Sequence, residues 1–332
     1  VPALEDPLMQ AAHLWLAATT LLTLAVPAAA QSSDPPVTAM KVTVLSTMLV
    51  GNAREGVGEW GFAAVLEVDG RRWLIDTGAR AETVLRNAEE LKVDLSTITD
   101  LVITHNHDDH TGGLLVLRRE MAKKNPNALS RAHVAKGIFT SRLTRQGREG
   151  GGLLPIKAEY EKLGGTFVEY DKPTRLAPGV WITGPVPRTY PEKNWSVSTQ
   201  LQTPAGPAED NVPEDSSIVV QTAQGLVVVS GCGHAGIVNT LEYAQKTVQN
   251  TTVHAAIGGF HLFAASDETL AWTASKLKEA RVAYFLGAHC TGIEAVFRIR
   301  QALGLARKAA VVGAVGSSFT LGTGIDPKAL AQ

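Results

Sequence analysis

Residues 101–113, LVITHNHDDHTGG, run from a short apolar strand into three histidines and two aspartates within six positions, His105 to His110, and then into a helical pattern. A plain polar turn does not account for that density, because neutral imidazoles so crowded are costly to pack without a metal or another partner. A strand end followed by a tight loop can aim alternate side chains at one point. His105 and His107 therefore suit one metal ion, while Asp109 and His110 point elsewhere and suit a second. Two ions about 3.5–4 Å apart can hold a hydroxide and polarise an ester, amide or phosphoryl oxygen.

The rest of the chain repeats this plan. KVTVLSTMLV (41–50) alternates as a strand, and FAAVLEVDGRRWLIDTG (62–78) reads as two strands around Val-Asp-Gly. Residues 81–92 have helical spacing, and a helix follows the histidine cluster directly. A strand at 131–139, a glycine loop at 145–152, a short helix from Ile156 and strands near TFVEYD and GVWITG come next. The interval 185–215 is rich in Pro, Ser, Thr and Asn and reads as a long surface loop. In the last third, SGCGHAG, IGGFHL and LGAHCTG each place a histidine at a glycine-marked strand end, with helices from about 236, 267 and 292. Strands and helices in two such halves predict helices packed outside a two-sheet core. Ligands of α/β folds gather beyond the carboxyl ends of strands, and His105, His107, His110, His234, His261 and His289 all stand at such ends.

Composition narrows the partners. The formal net charge is -1 and there is no basic run, so nucleic acid is excluded as an expected partner. LWLAATTLLTLAVPAAAQ (14–31) has an apolar run closed by small residues, which predicts a signal peptide over 1–30 and a linker over 31–40. A single domain is expected over 41–332, periplasmic or secreted, with no stable membrane insertion after the leader is removed. The two cysteines, Cys232 and Cys290, are too few for a disulfide framework. Each lies within two residues of a histidine, which suggests site chemistry, although an exported chain could join them.

H-x-H-x-D-H followed by TGG, together with the LIDTG around Asp76, resembles the signature of the metallo-β-lactamase superfamily. EWGFAAVLEVDGRRWLIDTG, SGCGHAGIVNTL, GGFHL and GAHCTG resemble its dihydropterin-ribofuranosylaminobenzene-phosphate synthase-like branch. The similarity spans about residues 41–320. It implies an α/β (α+β) fold, the four-layer αββα sandwich, and zinc, two ions or one, or another divalent metal. It places His105 and His107 on the first ion. Asp109, His110 and His289 go to the second, with Asp76 orienting ligands and Asp76 and Asp109 as the catalytic carboxylates. Where relatives carry a bridging aspartate this chain has Cys232, so either a thiolate bridges or the bridge is absent. His234 is the candidate third ligand of the first ion, with Glu214 and Asp215 behind it.

The function implied is that of an exported metal-dependent hydrolase, using metal-activated water on an ester, lactone, phosphodiester or amide-type bond of a small-molecule substrate. The alternatives are an iron-containing oxidoreductase on the same cluster and a metal-holding binding protein without turnover. His261 is expected to begin a helix and to contact substrate or support a ligand. Cys290 is expected to pack beside the site, with a ligand role the lesser alternative. His133 and His254 are expected on strands, and Trp60, Phe62, Tyr190 and Trp195 are candidates to line the pocket, with core or loop packing the leading expectation for each. Asp108 has no assigned role.

Overall fold

The computed structural model describes residues 35–195 and 198–331. The signal peptide expected over 1–30 and the first part of the linker lie outside them. Among the described residues no helix is long and apolar enough to cross a membrane.

Two large sheets face each other. One runs, in spatial order, Gly324–Asp326, Ser318–Thr320, Met40–Ser46, Ala63–Val68, Arg71–Ile75, Asp100–Ile103, Arg131–Ala135 and Thr166–Tyr170. The other runs Ala310–Val312, Tyr284–Gly287, Val253–Gly258, Gly225–Ser230, Ser217–Thr222, Val180–Ile182 and Thr174–Ala177. The expected hairpin around Val-Asp-Gly is there, with Val68 opposite Arg71 across Asp69 and Gly70. In each sheet the strands that carry the site are parallel: Arg71–Ile75 beside Asp100–Ile103, and Gly225–Ser230 beside Val253–Gly258 beside Tyr284–Gly287.

Both faces of each sheet are covered, so the central strands are apolar throughout rather than alternating. Val42, Val44, Leu66, Ile75 and Val102 meet Ile218, Val220, Val227, Val229 and Ile257 in the core between the sheets. The residues between them, Leu74, Leu101 and Ile103, turn outward onto Val84 and Ala88 of the helix Thr83–Glu90 and Leu114 and Leu117 of the helix Leu114–Lys124. On the far side Leu226, Val228 and Phe285 pack on the helices Ile237–Thr247, Asp267–Glu279 and Ile293–Leu303. This is the expected αββα arrangement.

Three expectations need correction. The interval 185–215 is not simply a surface loop. It contains the hairpin Thr199–Thr203 and Gly206–Glu209, which pairs with Arg142–Thr144, and it buries Glu192, Asn194, Asp210, Glu214 and Asp215. Its polar composition reflects buried hydrogen bonds rather than solvent. His261 does not begin a helix: the next helix starts at Asp267, capped by the Ser266 side chain. The histidine cluster also holds a short helix of its own, Asp108–Thr111, ahead of Leu114–Lys124.

Candidate metal centre

The site forms where the parallel strands of both sheets end. Asp76 follows the strand Arg71–Ile75, Thr104 and His105 follow Asp100–Ile103, Cys232 and His234 follow Gly225–Ser230, His261 follows Val253–Gly258, and His289 follows Tyr284–Gly287. Asp76, His261 and His289 have positive φ angles of 55°, 46° and 46°. Non-glycine residues rarely adopt this conformation, and they keep it only where their surroundings hold them there. Hydrogen bonds do so here: Asp76 N–H donates to Val102 O at 2.8 Å and His289 N–H to Thr47 Oγ1 at 2.9 Å.

Asp76 organises the first half of the centre. Its Oδ1 accepts from the Thr104 backbone at 2.8 Å, and its Oδ2 accepts from Thr104 Oγ1 at 2.8 Å and from His110 Nδ1 at 2.7 Å. Because the Thr104 hydroxyl gives its proton to Asp76, it accepts from His105 Nδ1 at 3.1 Å. His105 and His110 are thereby oriented with Nδ1 on its hydrogen-bond partner and Nε2 turned to the centre. His234 is fixed in the same way from the other sheet, its Nδ1 donating to Asn194 O at 2.5 Å.

Those Nε2 atoms converge. His105 Nε2 lies 3.0 Å from His107 Nδ1, and His110 Nε2 lies 3.1 Å from Cys232 Sγ. The His105 ring centroid is 4.6 Å from that of His107, 4.1 Å from His110 and 4.7 Å from His234. His289 Nε2 approaches Asp109 Oδ2 to 3.2 Å. Ligand atoms of His105, Cys232 and His234 lie within 4.8 Å of one another, as do those of His110, Cys232 and His289, and those of His105, Asp109 and His110. The structure thus brings together every residue expected at the metal: His105, His107, Asp109, His110, Cys232, His234 and His289.

The electrostatics favour neutral imidazoles at His105, His107 and His234. Burial, then the neighbouring imidazoles, hold His105 and His234 well below the usual histidine range. Burial brings His107 down to about 4. His110 goes the other way: burial opposes its charge, but Asp76 and Asp109 outweigh burial and push it up to about 9. For Asp109, His110 and His289 overcome the cost of burial and keep the carboxyl ionised. Burial and the neighbouring Cys290 push the Cys232 thiol up.

A divalent cation fits this donor set. The buried Nε2 of His234 and Nδ1 of His289 make no hydrogen bond. Unpaired buried nitrogens of this kind are costly unless something accepts their lone pairs, and nitrogen, carboxylate and thiolate are the ligands zinc takes.

Glu214 and Asp215 belong to none of these ligand groups. Glu214 Oε2 accepts from Arg142 at 2.6 Å and its Oε1 accepts from the Asn106 backbone at 3.3 Å, while Asp215 accepts from the Ala235 backbone at 2.9 Å. Asp108 is exposed. His133 and His254 are strand residues, as expected. Phe62 is buried in the core and Tyr190 packs on Trp272.

Trp60 corrects the expectation of plain packing. It is exposed, with its ring 4.9 Å from His289 and 5.4 Å from Phe263. Trp195 lines a cavity of about 710 Å3 together with Asn194, His261, Phe263, Thr269 and Trp272. Sequence reasoning missed Thr104 and Asn194. Thr104 is legible as a polar residue between an apolar strand and the cluster, whereas Asn194 acts through its carbonyl and leaves no side-chain signal.

Known proteins with this arrangement decide the family. Residues 45–147 match the family described as Anti-Pycsar protein Apyc1. A 7,8-dihydropterin-6-methyl-4-(beta-D-ribofuranosyl)-aminobenzene-5'-phosphate synthase of Methanocaldococcus jannaschii is 31% identical over 265 residues, 77% of this chain and 89% of its own. Tm1679, described as a metal-dependent hydrolase of the beta-lactamase superfamily, superposes with a TM-score of 0.65 at 28% identity, over 80% of this chain and 93% of its own. The chain belongs to the metallo-β-lactamase superfamily. Its branch is that of the archaeal synthase, as the motifs indicated. The metallo-β-lactamase fold protein YhfI of Bacillus subtilis shares the fold at 13% identity and a TM-score of 0.52, over 85% of this chain and 100% of its own. Members of this superfamily with solved structures include metal-dependent hydrolases, so the convergent donors stand in an enzyme family that uses such centres.

Proposed function

We propose that the protein is an exported zinc hydrolase acting on an ester, lactone, phosphodiester or amide-type bond. The observation that carries this reading is the convergence of buried imidazole nitrogens from both sheets on Cys232 and Asp109. His105, His107 and His234 would hold one ion, and Asp109, His110 and His289 a second, with Cys232 between them. A divalent cation in such a set supplies Lewis acidity at an acyl or phosphoryl oxygen and makes hydroxide available near neutral pH.

The chain's own residues do the rest. Asp76 keeps the proton of His110 on Nδ1, and the Thr104 hydroxyl does the same for His105. The ionised Asp109 carboxylate balances cationic charge in the centre. The exposed Trp60 and Phe263 keep water from one side of the mouth, and the cavity beside His261 and Trp195 accommodates the part of the substrate away from the reacting bond. Export rests on the leader-like segment 14–31.

The likeness to a synthase supports a second reading, in which the same centre serves a group transfer. Chromogenic esters, lactones, phosphodiesters and cephalosporins, assayed with and without chelator beside metal analysis, test the proposal. Turnover of one class, abolished by chelator and restored by zinc, is expected. A zinc-loaded protein inert on all four classes overturns the hydrolase reading and leaves the transfer reaction. Iron in place of zinc would favour the oxidoreductase.

A further inference from the structure

Three neighbouring parallel strands end in register at the centre. Ser230 pairs with Gly258, and Gly258 pairs with Gly287. Two or three residues further on, the three chains carry Cys232, His261 and Cys290. Their donor atoms lie within 4.8 Å of one another. Cys290 Sγ is 3.2 Å from Cys232 Sγ, and both cysteines are free and buried.

The backbone is arranged around the second sulfur. The His261 N–H donates to Cys290 Sγ at 3.3 Å, and the Leu262 and Phe263 N–H groups donate to Cys290 O at 3.0 and 3.2 Å. A side chain at Gly259 would meet Cys290 Sγ at 3.0 Å and Gly231 O at 2.0 Å, so glycine keeps that space open. His261 sits in the left-handed region, and its buried Nδ1 has no hydrogen-bond partner. Hydrogen bonds to sulfur and ligands held by backbone contacts are features that tune thiolate–metal sites.

We propose that Cys290 and His261 join Cys232 as ligands, giving the centre a sulfur-rich side that selects a thiophilic divalent ion such as zinc, cobalt or iron over magnesium, calcium or manganese. The assignment rests on the metal-centre reading above and extends it. Two thiolates and an imidazole form a donor set suited to borderline and soft ions and unsuited to hard ones. The thiol–thiol separation of 3.2 Å lies between the roughly 2.05 Å of a disulfide and the roughly 3.8 Å that two thiolates on one tetrahedral zinc would show. A disulfide would give His261 Nδ1 no partner, whereas a shared ion does.

X-ray absorption on the zinc-loaded full chain counts sulfur ligands per ion. With Cys232 alone, bridging or not, the average cannot exceed one. With Cys290 added it is about 2 for one ion, about 1.5 for two ions that share Cys232, and about 1 for two ions that do not. The expected result is a count above one that falls to one or below in Cys290→Ser, with the circular dichroism spectrum unchanged. A wild-type count below one, or a count of one that Cys290→Ser leaves unchanged, overturns the assignment. So does the loss of two hydrogens by intact mass in metal-loaded protein, which marks a disulfide. Metal bound without the second sulfur sinks this inference alone, whereas a chain that binds no metal sinks the centre itself.

Discussion

Asp76 holds His110 by one ring nitrogen, its Oδ2 accepting from Nδ1 at 2.7 Å inside a fully buried pair. The contact decides which nitrogen of His110 carries the proton, and so which one faces Cys232. In Asp76→Asn an amide can present its NH2 group to that ring, turn the tautomer over and aim an N–H at the centre. Metal affinity should fall about 10- to 100-fold while the fold persists. Competition titration against a chromogenic chelator measures this, and wild-type affinity in the variant would remove Asp76 from its orienting role.

Arg142 supports the same centre from outside. It is buried between Asp210, 2.8 Å from Nε, and Glu214, 2.6 Å from a terminal nitrogen. Glu214 in turn accepts from the backbone of Asn106, the residue between His105 and His107. Arg142→Ala leaves two buried carboxylates without their cation and should cost about 3–5 kcal/mol. Urea melts of chelator-treated protein read that loss directly. A cost below about 1 kcal/mol would mean that the carboxylates find other partners or water.

Much of this was legible in the chain itself, for physical reasons that differ from element to element. The hairpin around Asp69 and Gly70 and the helix at Asp267 are set by short-range chemistry, a turn dipeptide and a serine cap, and they fall where the pattern puts them. The residues that converge at the candidate centre were legible because histidine at a glycine-marked strand end is rarely needed for packing. The hairpin within 199–209 was not, because its strands are short and polar, and the burial of the adjoining Asp210 on Arg142 joins positions far apart in the chain. Trp60 was misread because its contact with His289 joins residues from opposite sheets of the sandwich, which no local spacing records.

Gly231 is required by crowding. A Cβ there would come within 2.1 Å of Thr104 Oγ1 and 2.5 Å of Asp76 Oδ2. Both atoms belong to the hydrogen bonds that set the tautomers of His105 and His110. Gly231→Ala should therefore destabilise the protein by about 1–3 kcal/mol through overpacking, and weaken metal binding more than stability alone explains. Calorimetric titration with zinc beside thermal melts separates the two effects. An affinity change no larger than the stability change would mean that the strand end shifts as a unit.

Asp100 begins the strand that His105 follows, so it lies at the end of the sheet away from the metal and reports on stability independently of the centre. Half-burial opposes its charge, but hydrogen bonds from His133 at 2.7 Å and Arg131 outweigh that and bring its carboxyl from 3.8 down to about 2. A carboxyl whose folded value lies below its unfolded value stabilises the fold fully above the unfolded value. The contribution fades as pH falls through the folded one. After discounting for solvent screening, the shift is worth about 1 kcal/mol. With chelator present, Asp100→Asn should be less stable than wild type by about that amount at pH 6–7. The gap should narrow between pH 4 and pH 2. Urea melts across that range measure the gap. A constant difference would show that the loss comes from packing or from His133 alone, and not from the carboxylate.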